Sequence, residues 1–247
     1  MKDYQAPQDL LKDRVILVTG AGQGIGRVAA LSLAAHGATV ILHGRSVRKL
    51  EAVYDEIEAA GGPTPAIYPL NLEKAEEEKF AGLAAGIKQQ LGRLDGILHN
   101  ASRMDRPQPL QDQTLEQWLS LLRINLAAPF ALTKACLPLL KASPDASVVM
   151  TSETHGHTPA AYWGGFAVSK AGLETLVKIW AQELEQLPNL RINALIPGPV
   201  QSPQRTISHP GQTADMLPAP EALMPLYLYL FGPDSRGVSG QILEAQP

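Results

Sequence analysis

"TGAGQGIG", residues 19–26, follows the apolar run "VILV" directly and opens the helical stretch "RVAALSLAAHG". A glycine-rich turn between strand and helix has a particular physical use: bare backbone N–H groups and the positive end of the helix hold an anion. Gly20 permits the tight turn, Gly24 lets the backbone approach a pyrophosphate, and Gly26 lets helix and strand pack closely. The competing reading is a glycine turn with no ligand. Strand, spacing and following helix together favour a dinucleotide-binding crossover.

Outward from this turn, short β-branched runs alternate with longer amphipathic ones. Residues 14–19, 38–43, 66–70, 96–100, 147–151, 191–196 and 241–245 read as strands. Helical spacing fills most of the intervals, as with Leu115, Leu119, Leu122 and Leu126. Such alternation predicts right-handed crossovers and a parallel sheet covered on both faces. Strands buried on both sides should be nearly all apolar, as "VILV" and "VVM" are. No linker or composition shift divides the 247 residues. The expectation is an α/β fold, a single doubly wound Rossmann domain over 1–247 with a parallel seven-stranded sheet and helices on both faces. The Pro-rich stretch 197–220 reads as a loop over the sheet's edge.

The second strand ends in "ILHGRS". An acid about 20 residues past the glycines would bond the ribose of NAD. Gly44 and Arg45 stand there instead. A guanidinium forks onto a 2′-phosphate, and glycine removes the carboxylate that would repel it, so NADP(H) is the expected cofactor. Arg45 as an ordinary surface arginine is the alternative.

With 45% hydrophobic and 18% charged residues and a formal charge of −3, the composition is that of an ordinary globular chain. No Lys/Arg cluster is dense enough to track a phosphate backbone, so no nucleic-acid partner is expected. The opening "MKDYQAPQDLLKDR" lacks the apolar core of a secretion signal, and no apolar run nears the roughly 20 residues that span a bilayer. No membrane partner and a cytoplasmic setting are therefore expected. The one cysteine, Cys136 in "LTKACLPLLK", reads as core packing.

These residues resemble the short-chain dehydrogenase/reductase family from about Leu11 onward. The family's TGxxxGxG stands as Thr19 to Gly26. Its NNAG is present in altered form as His99-Asn100-Ala101-Ser102, and "RINL" carries the helix asparagine as Asn125. "IPGPVQS" matches the PG motif, with Ser202 where a Thr commonly bonds the nicotinamide carboxamide. The tail "MPLYLYLFGPDSRGVSGQILEAQP" is similar to a small bacterial branch, the YciK-type oxidoreductases. The resemblance implies cofactor binding by Gly20, Gln23, Gly24, Ile25, Gly26, Arg45, Asn71, Leu72, Asn100, Ala101, Lys170, Pro197, Gly198, Val200 and Ser202. It implies a small-molecule carbonyl or alcohol substrate. It also implies a homodimer or homotetramer, paired through the helices that carry Asn125 and Lys170.

In the family a Ser thirteen places before a Tyr orients the carbonyl, and the Tyr donates the proton. A Lys holds the ribose and lowers the phenol's pKa, and the Asn anchors a relay water. Asn125 and Lys170 are kept here, but the Tyr place holds Phe166 and the Ser place Glu153. Ser152 lies one place early on the strand, so its side chain is expected on the other face.

A positioned proton donor contributes about 10²–10⁴-fold, and Phe166 has no proton to give. An ionised Glu153 opposes a developing oxyanion. One reading pairs Glu153 with Lys170 in a retired site. In the other, a desolvated Glu153 keeps its proton and acts as the acid, against the pull of the Lys170 cation. Tyr162 lies one helical turn from Phe166, about 5.4 Å away and too far to replace it directly. His155 and His157 could supply a proton, though two loop histidines are more often solvated. "ETHGH" reads as a turn, without the partners of a metal site. The chain is expected to be an NADP(H)-dependent oxidoreductase with an atypical site, or a catalytically retired NADP(H)-binding sensor, scaffold or partner subunit. The short Pro-, Ser- and Gln-rich segment after Pro197 suggests an open site.

Overall fold

Each strand carries apolar side chains on both of its faces. A computed structural model describes residues 3–246; positions 1, 2 and 247 of the expected domain lie outside it. The strands are β1 (Val15–Thr19), β2 (Thr39–Gly44), β3 (Ala66–Pro69), β4 (Gly96–His99), β5 (Ala146–Thr151), β6 (Leu190–Ile196) and β7 (Ile242–Glu244). All seven expected runs are strands, with ends shifted by at most two residues. They form one parallel sheet in the order β3-β2-β1-β4-β5-β6-β7. The order reverses between β1 and β4, and open α/β sheets bind ligands at such a switch point.

Alternate residues of each strand serve two cores. Ile16, Val18, Val40 and Leu42 face α1 (Gly24–Ala35) and α2 (Val47–Ala59). Val15, Leu17, Ile97 and Val148 face the opposite layer. That layer holds α3 (Glu77–Leu91), α4 (Leu115–Leu122), α5 (Ala128–Ala142) and, after the four-residue α6 (Thr154–His157), α7 (Gly164–Glu183). The short α8 (Pro203–Ser208) and then α9 (Met224–Phe231) complete the helices, α9 on the α1 side. Thr114 and Gln117 start α4 with a reciprocal capping box. A π-helical turn, Arg123–Ala127, joins α4 to α5. Cys136 is fully buried in the second core, where burial pushes its thiol up to about 12.

At the strands' N-terminal ends, Arg14 and Arg236 reach Asp145 at 3.3 and 3.2 Å, and Arg191 pairs with its other oxygen. Arg14 also donates to the Phe231 carbonyl at 2.7 Å, and Asp95 accepts the Val15 N–H at 2.8 Å. Here β1, β5, β6 and α9 are tied together, at the end of the sheet away from the glycine turn.

Candidate active site

The glycine turn has the shape its sequence requires. Gly20 and Gly24 sit at φ +70° and +56°, where a side chain is strained. A Cβ on Gly20 would lie 2.9 Å from the Ala101 backbone, so β1 and β4 can meet only with glycine there. Gly26 faces away from the cleft, and a Cβ there would run into the Gly20 carbonyl and stand 2.5 Å from Asn100. Thr19 Oγ1 accepts the N–H groups of Asn100 and Ala101, both at 3.0 Å, and holds the β4 loop against the turn.

A cleft of about 470 Å³ opens over this junction. Of the expected cofactor residues, Gly20, Gln23, Gly24, Ile25, Arg45, Asn71, Leu72, Asn100, Ala101 and Ser202 line it. Arg45 is exposed at the end of the cleft between β2 and α2, beside Ser46 and Lys49. The Ser46 hydroxyl leaves the start of α2 uncapped, and Lys49 donates to the Gln23 carboxamide. Lys49 was not singled out in the sequence; its signal is its place in the first turn of a helix that begins just after Arg45. His43 also borders the cleft, fully buried, with neither ring nitrogen bonded.

Pro197, Gly198, Val200 and Lys170 do not line this cleft. Val200 packs into the α1-side core, and the Pro197 carbonyl accepts from Gln246 at 2.8 Å. Ser202 Oγ accepts the Arg205 N–H at 3.1 Å and caps α8. The segment after Pro197 is also less open than its composition suggests. A Cβ on Gly24 would meet the Pro203 ring at 3.3 Å, and Gln204 donates to the Ser102 carbonyl at 3.2 Å. α8 therefore lies across the mouth of the glycine turn.

Asn125 is buried in the π-turn. Its Oδ1 accepts the Arg103 N–H at 2.8 Å, and its Nδ2 donates to the Arg103 carbonyl and to Ser169 Oγ, both at 3.0 Å. It thus clamps the loop after β4 to α7. Lys170 is buried one turn along α7 from Phe166 and donates to the Thr151 carbonyl at 2.8 Å. Burial pushes its ammonium down to about 8, opposed by the charges of Glu153 and Glu174.

Glu153 does not pair with Lys170 within 4.0 Å, as one sequence reading supposed. "ETHGH" folds as α6, and Glu153 is its N-cap, Oε2 accepting the His155 N–H at 2.7 Å. A helix start competes for the carboxylate and draws it from the ammonium. Ser152 is buried against α7. Its hydroxyl donates to Glu174 at 2.6 Å, and the other Glu174 oxygen accepts from His157 Nδ1 at 3.0 Å.

Phe166 is buried with its ring centroid 5.8 Å from the Lys170 ammonium. Trp163 lies over it at 6.0 Å and also meets the rings of His155 at 4.0 Å and His209 at 6.0 Å. Trp163 and His209 were not legible as site residues, because nothing in linear spacing brings α8 to the start of α7. Tyr162 stands outside α7 at φ +75° and is exposed, not one helical turn below Phe166. Gln113 fixes this bend by accepting the Gly165 N–H at 3.1 Å. Among the described residues, no three His, Cys, Asp or Glu side chains gather to hold a metal, and no helix is long and apolar enough to cross a membrane.

The sequence profile of the family described as short chain dehydrogenase matches residues 14–212. The chain belongs to the short-chain dehydrogenase/reductase family. It is 41% identical over 244 residues to the uncharacterized oxidoreductase YciK of Escherichia coli, covering 99% of this chain and 96% of that protein. A short chain dehydrogenase structure from Pseudomonas syringae superposes with a TM-score of 0.97 at 47% identity, covering 99% of each chain. A Shigella flexneri short chain dehydrogenase, solved complexed with NADP, superposes with a TM-score of 0.95 at 41% identity, covering 98% of this chain and 100% of that one.

Proposed function

We propose that the chain is an NADP(H)-dependent oxidoreductase whose hydride chemistry runs in an atypical site. The supporting observation is the cleft: Gly20 and Gly24 bare their backbone at the switch point, and Arg45 and Lys49 meet at its adenosine end. The donor set fits the group. Backbone N–H groups at the start of α1 suit a pyrophosphate, and a guanidinium and an ammonium suit a ribose phosphate. The NADP bound by the Shigella relative agrees with this reading. When bound, the cofactor supplies or accepts a hydride. Asn125 holds the loop after β4 that borders the cleft, and Pro203 and Gln204 of α8 line its mouth.

A second reading, a retired NADP(H)-binding sensor, scaffold or partner subunit, draws support from Phe166, which is packed under Trp163 with no proton to give. Fluorescence titration with NADPH, followed by turnover against carbonyl and imine panels, separates the two. Binding with turnover supports the enzyme; binding without any turnover supports the retired form. In Arg45→Asp, NADPH affinity should fall at least about tenfold while NADH affinity does not, since a charged hydrogen bond is worth ~1.5–3 kcal/mol. Equal loss for both nucleotides would remove Arg45 from phosphate recognition.

We further propose homo-oligomer formation through the outer faces of α4, α5 and α7, where Leu115, Leu119, Phe130, Val168 and Ile179 are exposed.

A further inference from the structure

We propose that the partly exposed carboxylate of Glu153 takes a cationic nitrogen electrophile, an iminium, where the family's hydroxyl pair serves a neutral carbonyl. The inference rests on the NADP(H) reading above and deepens it. Its ground is the direction of two changes that look like damage when judged by carbonyl chemistry.

Reducing a ketone leaves an alkoxide that needs a proton, and a carboxylate nearby raises its energy. Phe166 cannot give that proton, and Glu153 brings that carboxylate. An iminium reverses both requirements. It already carries its proton on nitrogen, and its positive charge is attracted by a carboxylate. In the balanced step, a hydride leaves the reduced nicotinamide and bonds to the iminium carbon. The C=N π pair becomes the nitrogen lone pair, a neutral amine forms, and the nicotinamide is oxidised. No proton enters, so no donor is missing.

The surroundings of Glu153 suit such a guest. Oε2 is bonded to the His155 N–H, while Oε1 makes no hydrogen bond among the described residues and the side chain is partly exposed. Charged and titratable groups stand on the elements around it. Lys170 and Glu174 come from α7, Arg205 from α8 with His209 just beyond it, and His155 and His157 from α6. The Lys170 ammonium is bonded to the Thr151 carbonyl and is balanced by Glu174 as well as Glu153. Arg205 Nε is bonded to Gln212 at 2.7 Å, and neither cation comes within 4.0 Å of Glu153 as an ion pair. One carboxylate oxygen is thus left for an N–H of the substrate. Beside it, the His155 ring meets Trp163 at 4.0 Å and Trp163 meets His209 at 6.0 Å, all three partly exposed, whereas Phe166 is buried against Lys170. A cation gains from the face of an indole or phenyl ring, and a neutral carbonyl gains nothing comparable.

The test compares two bicyclic ligands of one shape, tetrahydroisoquinolinium, a cation, and tetralol, a neutral alcohol. Calorimetric binding to the full chain, with and without NADP⁺, should show the cation tighter by at least about tenfold, the size of one charge-assisted hydrogen bond. In Glu153→Gln the preference should collapse through loss of cation affinity alone. With NADPH, dihydroisoquinoline should be reduced and tetralone should not. The double variant Glu153→Ser with Phe166→Tyr should move turnover toward tetralone. Equal binding of cation and alcohol, a preference untouched in Glu153→Gln, or faster reduction of tetralone than of the imine by the parent would each overturn the proposal. The parent's own ligand preference decides the matter if a variant fails to fold. NADPH binding is titrated on the same samples. Its absence would sink the cofactor reading, while the comparison made without nucleotide still judges the role of Glu153.

Discussion

At Gly26 a single methyl group separates a working nucleotide turn from a distorted one. The added carbon of Gly26→Ala would overlap the Gly20 carbonyl and press on Asn100, backbone and side chain that Thr19 already holds in place. Overpacking of this kind typically costs ~1–3 kcal/mol. The urea midpoint of Gly26→Ala should drop accordingly, and NADPH affinity should fall with it because the turn that presents the amides is displaced. A variant with parental stability and binding would show that the turn gives way freely. The glycine roles could be read directly from sequence, since strained φ and close approach are properties of the backbone that only glycine serves. Lys49 and Trp163 were illegible for the opposite reason. Their roles depend on where α2 and α7 place ordinary side chains relative to other segments, and spacing along one chain carries no such information.

The strands were legible because burial on both faces forces continuous apolar runs, and each expected run appears within two residues. The Leu115–Leu126 stripe is helical, from α4 into the π-turn. Leu115 and Leu119 are 74% and 53% exposed, whereas Leu126 packs against the second core. Periodicity shows that a helix has an apolar face and leaves open what covers it. If a second copy covers it, light scattering of the parent should give a multiple of the 26.5 kDa chain mass. The double variant Leu115→Lys with Leu119→Lys should lower that mass while keeping the helical circular dichroism. A monomeric parent would refute the pairing outright. The expected Glu153–Lys170 pair does not form, because the carboxylate has a local claimant. A helix N-terminus two residues away was the nearer claimant.

For the molecule as a whole, two buried histidines contribute to acid sensitivity. Burial pushes His43 down to about 4 and His99 to about 3, so both are neutral in the folded chain. The unfolded chain protonates them below the ordinary value of 6.5. Stability is therefore unaffected by them above that pH and is lost as pH falls from 6.5 toward 4, at up to ~1.4 kcal/mol per unit for each. His43→Leu should flatten this slope in urea titrations between those limits, and it should not weaken the protein at pH 7, because the imidazole it removes has no partner. An unchanged slope would exclude His43 as a source of the acid sensitivity. The Arg14–Asp145–Arg191 knot carries one more implication. Because it fastens the central strands at the end of the sheet remote from the glycine turn, selection could exchange groups at the mouth without loosening the foundation.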